Sequence, residues 1–176
     1  MTCQEFAELI ETEGRSIYVF CCHLAGEKEE ADELYQETML KAVERFGQIE
    51  LSKNPKSFLL GIAVRIWKSK RRKYLHRQQI APEESLDQKV FEIDLAGTKD
   101  SPEEIYLSQE LCKLVRTEIA ALKEKYRISV YLYYSLEMSV EEIAAALHIP
   151  KGTVKSRLYK ARAIIAKKLE EYGYEV

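Results

Sequence analysis

SVEEIAAALHIPKGTVKSRLYKARAIIAKKL, residues 139–169, decides the fold. It reads as two helices joined by a tight turn. Ser139 caps the first helix, and Glu142, three residues on, reaches back to complete a capping box. Val140, Ile143, Ala144 and Leu147 then recur at helical spacing. Pro150 has no N–H to donate, so His148-Ile149-Pro150 ends that helix. The second helix starts near Lys151 and buries a stripe of Val154, Leu158, Ala161, Ile165 and Leu169. At 100° per residue, Gly152, Ser156, Tyr159, Lys160, Ala163 and Lys167 fall on the opposite side, with Lys155 on the flank. Residues 151–168 hold seven basic side chains (Lys151, Lys155, Arg157, Lys160, Arg162, Lys167 and Lys168) and no acidic one. A short helix, a turn and a basic second helix form a helix-turn-helix, whose second helix fits the DNA major groove. The small Gly152 and Ser156 permit close approach. The alternative is a helical hairpin with a solvated basic face.

Working outward, the 176-residue chain has a net charge of −2 that conceals strong zoning. Residues 1–50 carry 4 basic and 12 acidic groups, and residues 51–80 carry 9 basic and none acidic. Residues 81–122 carry 4 and 10, and residues 123–176 carry 10 and 7. Two basic zones on one chain read as two separate nucleic-acid contacts. No apolar run approaches the ~20 residues that span a bilayer, and the acidic, amphipathic start is no secretory signal. A cytoplasmic protein without membrane insertion is expected. Cys3, Cys21, Cys22 and Cys112 form no CxxC pair, so reduced thiols are expected.

Helical spacing predicts a first helix over 3–25, stopped by Gly26, with Phe6, Leu9, Ile10, Ile17, Phe20, Cys21 and Leu24 on one face. A second covers about 28–46, with Ala31, Leu34, Tyr35, Thr38, Ala42 and Phe46 inward. Its outer face shows Glu29, Glu33, Gln36, Glu37 and Glu44 around Leu40, either a solvated face or a protein-docking surface. Asn54-Pro55 starts a third helix, Asn as cap and Pro in the first turn. It ends in the basic run Lys68–Lys73. Trp67, Arg71 and Tyr74 share a face; either they hold unstacked bases, or Trp67 is core beneath another helix. Residues 78–100 lose periodicity and read as a linker. Ser101-Pro102-Glu103-Glu104 opens the next helix. Tyr126–Leu136 alternates like a strand, but a lone strand has no partner, so it is read as the helix behind the helix-turn-helix. The fold class is therefore all-α, two small helical domains (1–77 and 101–176) joined by a linker over 78–100.

No enzyme site emerges. His23, His76 and His148 are not paired at metal spacing, and no Ser/His/Asp order or Gly-rich phosphate loop is present. No cofactor or metal is expected. A dimeric helix-turn-helix regulator is the competing class; two unlike basic zones argue against it. A nucleic-acid enzyme is the third, and lacks an acid/base cluster.

Three blocks, in order, carry a resemblance to the extracytoplasmic-function (ECF) group of bacterial sigma-70 factors, the promoter-recognition subunits of RNA polymerase. ADELYQETMLKAVERF (31–46) resembles region 2.2. PKSFLLGIAVRIWKSKRRK (55–73) resembles regions 2.3 and 2.4. Residues 121–169 resemble region 4, with GTVKSRLYKAR (152–162) the most specific segment. The resemblance implies a non-enzymatic subunit that directs core RNA polymerase to promoter DNA. Asp32, Glu33, Gln36, Glu37 and Leu40 would dock on the clamp coiled coil of core polymerase. Arg65, Trp67, Lys68, Lys70, Arg71, Arg72, Lys73 and Tyr74 would bind and help open the −10 element. Lys151, Thr153, Lys155, Ser156, Tyr159, Lys160 and Arg162 would read the −35 element. An anti-sigma factor is a frequent partner in the family. The chain departs from the family pattern where many relatives carry Arg-Asn (here Val64-Arg65), Asp (Ser69), Gly (His148) and a Ser-like cap (Pro150).

Overall fold

A computed structural model describes residues 2–45, 47, 54–80 and 102–174. Among the described residues, seven α-helices run in chain order: α1 (Cys3–Ala25), α2 (Lys28–Glu44), α3 (Pro55–Ile80), α4 (Pro102–Ala121), α5 (Glu124–Val130), α6 (Val140–Leu147) and α7 (Lys151–Glu171). Phe46, Ser101 and the linker residues 81–100 lie outside the described residues, and α3 runs on through residues 78–80, expected to be linker.

The helix boundaries follow local chemistry. Thr2 and Glu5 form a capping box at the start of α1. Gly26 ends it at φ 82°, a left-handed conformation that costs glycine little. Asn54 caps α3, its Oδ1 accepting from the Ser57 N–H at 3.2 Å. Ser139 and Glu142 form the second capping box. His148 ends α6 in a left-handed conformation, φ 52°, in place of the glycine that makes this turn without steric cost.

Tyr126–Leu136 is helical, with a twist that propensity does not reveal. After α5 the chain enters a π-helical turn, Tyr131–Ser135, in which the Leu136 N–H reaches back five residues to the Tyr131 carbonyl at 3.1 Å. The wider turn admits an extra residue and leaves Tyr133 and Tyr134 side by side, ring centroids 4.9 Å apart.

The main core is continuous across the chain. Ile17, Phe20 and Leu24 of α1, Leu34 of α2 and Leu59, Leu60 and Val64 of α3 belong to the same buried cluster as Ile128, Leu132, Ile143, Val154 and Leu158. A satellite of Leu122, Val130 and Ala161 ties α4 and α5 to α7. Each fully buried Leu or Ile contributes about 1.5–3 kcal/mol, so the region around α6 is fastened to α1–α3 by apolar burial. Gly61 sets how closely α3 and α6 approach. A Cβ there would lie 3.0 Å from the Ala146 carbonyl oxygen and 3.4 Å from its Cα, backbone that cannot swing aside.

Candidate nucleic-acid interface

The helix-turn-helix is built as its sequence predicts. Val154, Leu158 and Ala161 are buried, which turns the opposite side of α7 to solvent. Lys155, Ser156, Tyr159 and Lys160 are all exposed, Tyr159 at 73%. The Ser156 hydroxyl donates to the Thr153 carbonyl at 2.9 Å, so its remaining lone pairs face outward. Thr153 is half-buried. Lys151 lies on the turn side, its Nζ 2.9 Å from Glu141 of α6, which holds the Glu141 carboxyl below its usual range.

Arg162 is placed differently from these. Its Nε donates to the Tyr134 hydroxyl at 2.5 Å, and its guanidinium sits over both rings of the π-helical turn, 5.9 Å from the Tyr133 centroid and 5.6 Å from that of Tyr134. The side chain is exposed but oriented by aromatics behind α7.

The basic stretch of α3 is engaged by the rest of the molecule. Trp67 is 5% exposed, part of the main core, and its indole N–H meets no acceptor among the described residues. Of the two readings of this residue, core or base-stacking platform, the closed molecule realises the first. Arg65 bonds the Gly61 carbonyl through Nε at 3.1 Å and reaches His148 Nε2 with Nη1 at 3.3 Å. Two positions at which the chain departs from the family pattern thus meet across 83 residues of sequence. Lys70 lies between Glu37 (2.9 Å) and Glu33 (3.1 Å) of α2, which raise its pKa against the opposing effect of burial. Arg71 pairs loosely with Glu124 of α5 at 3.7 Å. Burial and the Arg157 guanidinium lower the pKa of Lys68. Arg72, Lys73 and Tyr74 are on the outside.

The acidic face of α2 is real and partly apolar. Leu40 is 60% exposed, and Val43, which the spacing argument passed over, is 51% exposed beside it. Glu33 and Gln36 are exposed, and Glu37 is half-buried. Asp32 accepts from the Tyr18 hydroxyl at 2.6 Å, so it is held by α1 rather than free. Tyr18 was invisible from sequence, since its partner is 14 residues away on another helix.

Among the described residues, two direct polar bonds join the N-terminal three helices to α6 and its turn: Arg65 to His148, and Asn54 Nδ2 to Glu142 Oε1. The latter links two helix caps, and the Asn54 bond is the first cause of the lowered Glu142 pKa, ahead of Ser139. Alongside them, the His23 ring of α1 stacks on Tyr131, centroids 4.1 Å apart. Burial beside Arg116 and Arg127 pushes the His23 pKa down to about 4, leaving the ring neutral. Among the described residues no cluster of three His, Cys, Asp or Glu side chains is placed to hold a metal, and no helix is long and apolar enough to cross a membrane.

Comparison with known proteins matches these surfaces to two family models. Sigma-70 region 2 covers residues 9–77, and Sigma-70 region 4 covers residues 112–165. The ECF RNA polymerase sigma factor SigW of Bacillus subtilis is 29% identical over 171 residues, 94% of this chain and 89% of the relative. The ECF sigma-E factor of Escherichia coli K12 is 40% identical over 70 residues, 40% of this chain and 37% of its own. Among solved structures, the sigma factor RpoE bound to the anti-sigma factor NepR, from Bartonella quintana, superposes with a TM-score of 0.79 at 21% identity, over 95% of this chain and 98% of that one. CnrH bound to the cytosolic domain of CnrY gives 0.64 at 16% identity, over 97% and 90%. Both share the fold.

Proposed function

The chain belongs to the sigma-70 family, within its ECF group of RNA polymerase sigma factors, and from that premise we propose the following division of labour between its surfaces. It directs core RNA polymerase to promoters and is not an enzyme. The outer face of α2 docks on core polymerase, with Leu40 and Val43 as the apolar centre and Glu33, Gln36 and Glu37 around them. Depletion of charge at the centre and polarity at the rim is the usual anatomy of such contacts. The outer face of α7 reads the −35 element through Lys155, Ser156, Tyr159 and Lys160, with Lys151 on phosphate. The C-terminal half of α3 engages the −10 element, Arg72 and Lys73 on the backbone and Trp67 on unstacked bases once it is uncovered. The chain acts in the cytoplasm, and an anti-sigma factor is a natural partner, since the superposed sigma factor RpoE is bound to the anti-sigma factor NepR.

The observation that carries the reading is the contrast between an open α7 face and a covered α3 face. The −35 and −10 elements lie roughly 25 base pairs apart, about 85 Å at 3.4 Å per pair. A compact chain of this length has a radius of gyration of about 16 Å. The packed molecule cannot reach both elements, so on polymerase α6 and α7 part from α3. Parting exposes Trp67 and releases Arg65 from His148. One recognition helix contributes only a few base contacts at about 1–3 kcal/mol each, against ~10⁶ or more competing sites. A second reader at fixed spacing supplies the missing discrimination.

The test is transcription in vitro from genomic fragments with bacterial core polymerase. Discrete start sites that require the protein are expected; failure to bind core would refute the reading. A free dimer that binds a palindrome tightly without polymerase would favour a simple helix-turn-helix regulator.

A further inference from the structure

We propose that the cleft between the C-terminal half of α3 and the α4–α5 junction binds a small polyphosphate anion that holds the two halves together. The cleft has a volume of about 720 Å³. Lys68, Arg71 and Arg72 line it from α3, and Lys123, Glu124 and Lys125 face them from the start of α5. One carboxylate thus meets five permanent cations. Glu124 is already shared with Arg71 at 3.7 Å.

Closing the molecule concentrates these like charges. Each unit pair at 4 Å costs about 1 kcal/mol even in water, and more near protein. An anion carrying several charges on adjacent oxygens adds an attraction to each of these cations and offsets their mutual repulsion. Small-molecule sites run to about 300–1,000 Å³, whereas a DNA duplex needs an open surface such as the outer face of α7. Pyrophosphate, or the triphosphate tail of a nucleotide, matches the charge and fits within the volume. These are also the product and the substrates of RNA synthesis, so they are present wherever a polymerase works. Because the walls come from α3 and α5, the bound anion favours the closed arrangement and competes with DNA for Arg71 and Arg72.

The inference rests on the closed packing and not on the promoter reading, and its test keeps the two apart. The full chain is titrated calorimetrically with inorganic pyrophosphate, with ATP and with orthophosphate. Saturable one-to-one binding of pyrophosphate is expected, with orthophosphate weaker. Lys123 and Lys125 are exposed and belong to neither the DNA-reading nor the polymerase-docking surface. The double variant K123Q/K125Q should bind pyrophosphate roughly 25-fold more weakly, about fivefold per lost cation. Glu124→Gln should bind it roughly fivefold more tightly by the same reasoning. ATP binding no weaker than pyrophosphate identifies a nucleotide as an admissible ligand; ATP binding weaker than pyrophosphate restricts the site to the free anion. The proposal is overturned if pyrophosphate gives no saturable heat, or if neither variant changes its affinity. It is also overturned if a short single-stranded oligonucleotide displaces pyrophosphate at a lower concentration than ATP does, which would make the cleft part of the DNA path. Promoter-directed transcription by K123Q/K125Q is a separate readout, whose loss would bear on the promoter reading alone.

Discussion

The α3 and α7 helices are both basic and both meant for promoter DNA, yet they stand in opposite states. On α7 the reading residues face solvent, and Lys155 and Lys160 form no ion pair among the described residues. On α3, Trp67 is buried, Arg65 is bonded to His148, Lys70 to Glu33 and Glu37, and Arg71 to Glu124. The difference comes from where each helix finds its neighbours. The buried partners of α7 lie on its apolar stripe, and its polar ties, Lys151 to Glu141 and Arg162 to Tyr134, leave Lys155, Ser156, Tyr159 and Lys160 open. Those of α3 surround it: α1 and α2 on one side, α6 on another. A duplex reader works as a preformed surface. The strand-separating surface proposed for α3 would be sticky with its Trp exposed, and in the packed molecule Trp67 is covered.

The sharpest way to break this contrast is through Lys70, because its partners Glu33 and Glu37 belong to the proposed polymerase-docking face. The double reversal E33K/E37K should weaken core binding about a hundredfold, near 2.8 kcal/mol, as loss of complementary charge at an interface does. It also turns two acids beside Lys70 into cations, so the free chain should bind single-stranded DNA more tightly than wild type. Surface plasmon resonance against immobilised core, and fluorescence anisotropy with a labelled oligonucleotide, read the two effects. Weakened core binding without stronger DNA binding would show that Lys70 is not masked by these acids; unchanged core affinity would remove this face from the docking surface.

The intermediate effect separates base readout from phosphate contact on the open helix. Lys155→Ala or Ser156→Ala should cost about 1–3 kcal/mol at the matched −35 sequence and far less on an unrelated duplex. Lys151→Ala should weaken every sequence alike and reduce the salt slope by about one unit. Its Nζ is tied to Glu141 and both side chains are exposed, so losing the pair itself costs the fold little. Competition binding with matched and scrambled duplexes across a salt series distinguishes these. Equal losses on every sequence from all three variants would make α7 a phosphate-binding helix only.

How much of this was legible in the chain depends on distance along it. Caps are written within four residues, so Ser139 with Glu142, Asn54 before Pro55 and Gly26 marked real boundaries. Buried stripes repeat every three or four residues, so the interior of α7 was predicted correctly. The π-helical turn was not legible, because one extra residue in a short segment leaves no periodic trace, and with it went the placement of Arg162 against Tyr133 and Tyr134. Nor was the state of α3. Trp67 as core and Trp67 as stacking platform have the same helical spacing, and only the packing of the main core decides between them. Arg65 and His148 are 83 residues apart and Asn54 and Glu142 are 88 apart; pairings at that range have no signature in a single sequence.

The smallest effect tests whether the cover over α3 responds to proton concentration. His23 stacks on Tyr131 across the join, facing Arg116 of α4 and Arg127 of α5, and its pKa falls to about 4. In an opened or unfolded chain it returns to about 6.5. The closed state therefore binds fewer protons than the open one between those values. Its stability is fully present above pH 6.5 and is lost as pH falls from 6.5 towards 4. From pH 7 to pH 5.5 the loss should be about 1 kcal/mol, the linkage expected for one site titrating in only one state. Urea unfolding at the two pH values measures it, and His23→Gln, which keeps a polar side chain but does not titrate, should flatten the difference by that amount. Carboxylates such as Glu142, held low by Asn54, also weaken the join in acid, but only well below pH 5, where their protons return. A profile between pH 7 and pH 5.5 that is equally steep in wild type and variant would show that His23 does not titrate with opening, and would leave the apolar core and the Arg65–His148 and Asn54–Glu142 bonds to hold α6 over α3.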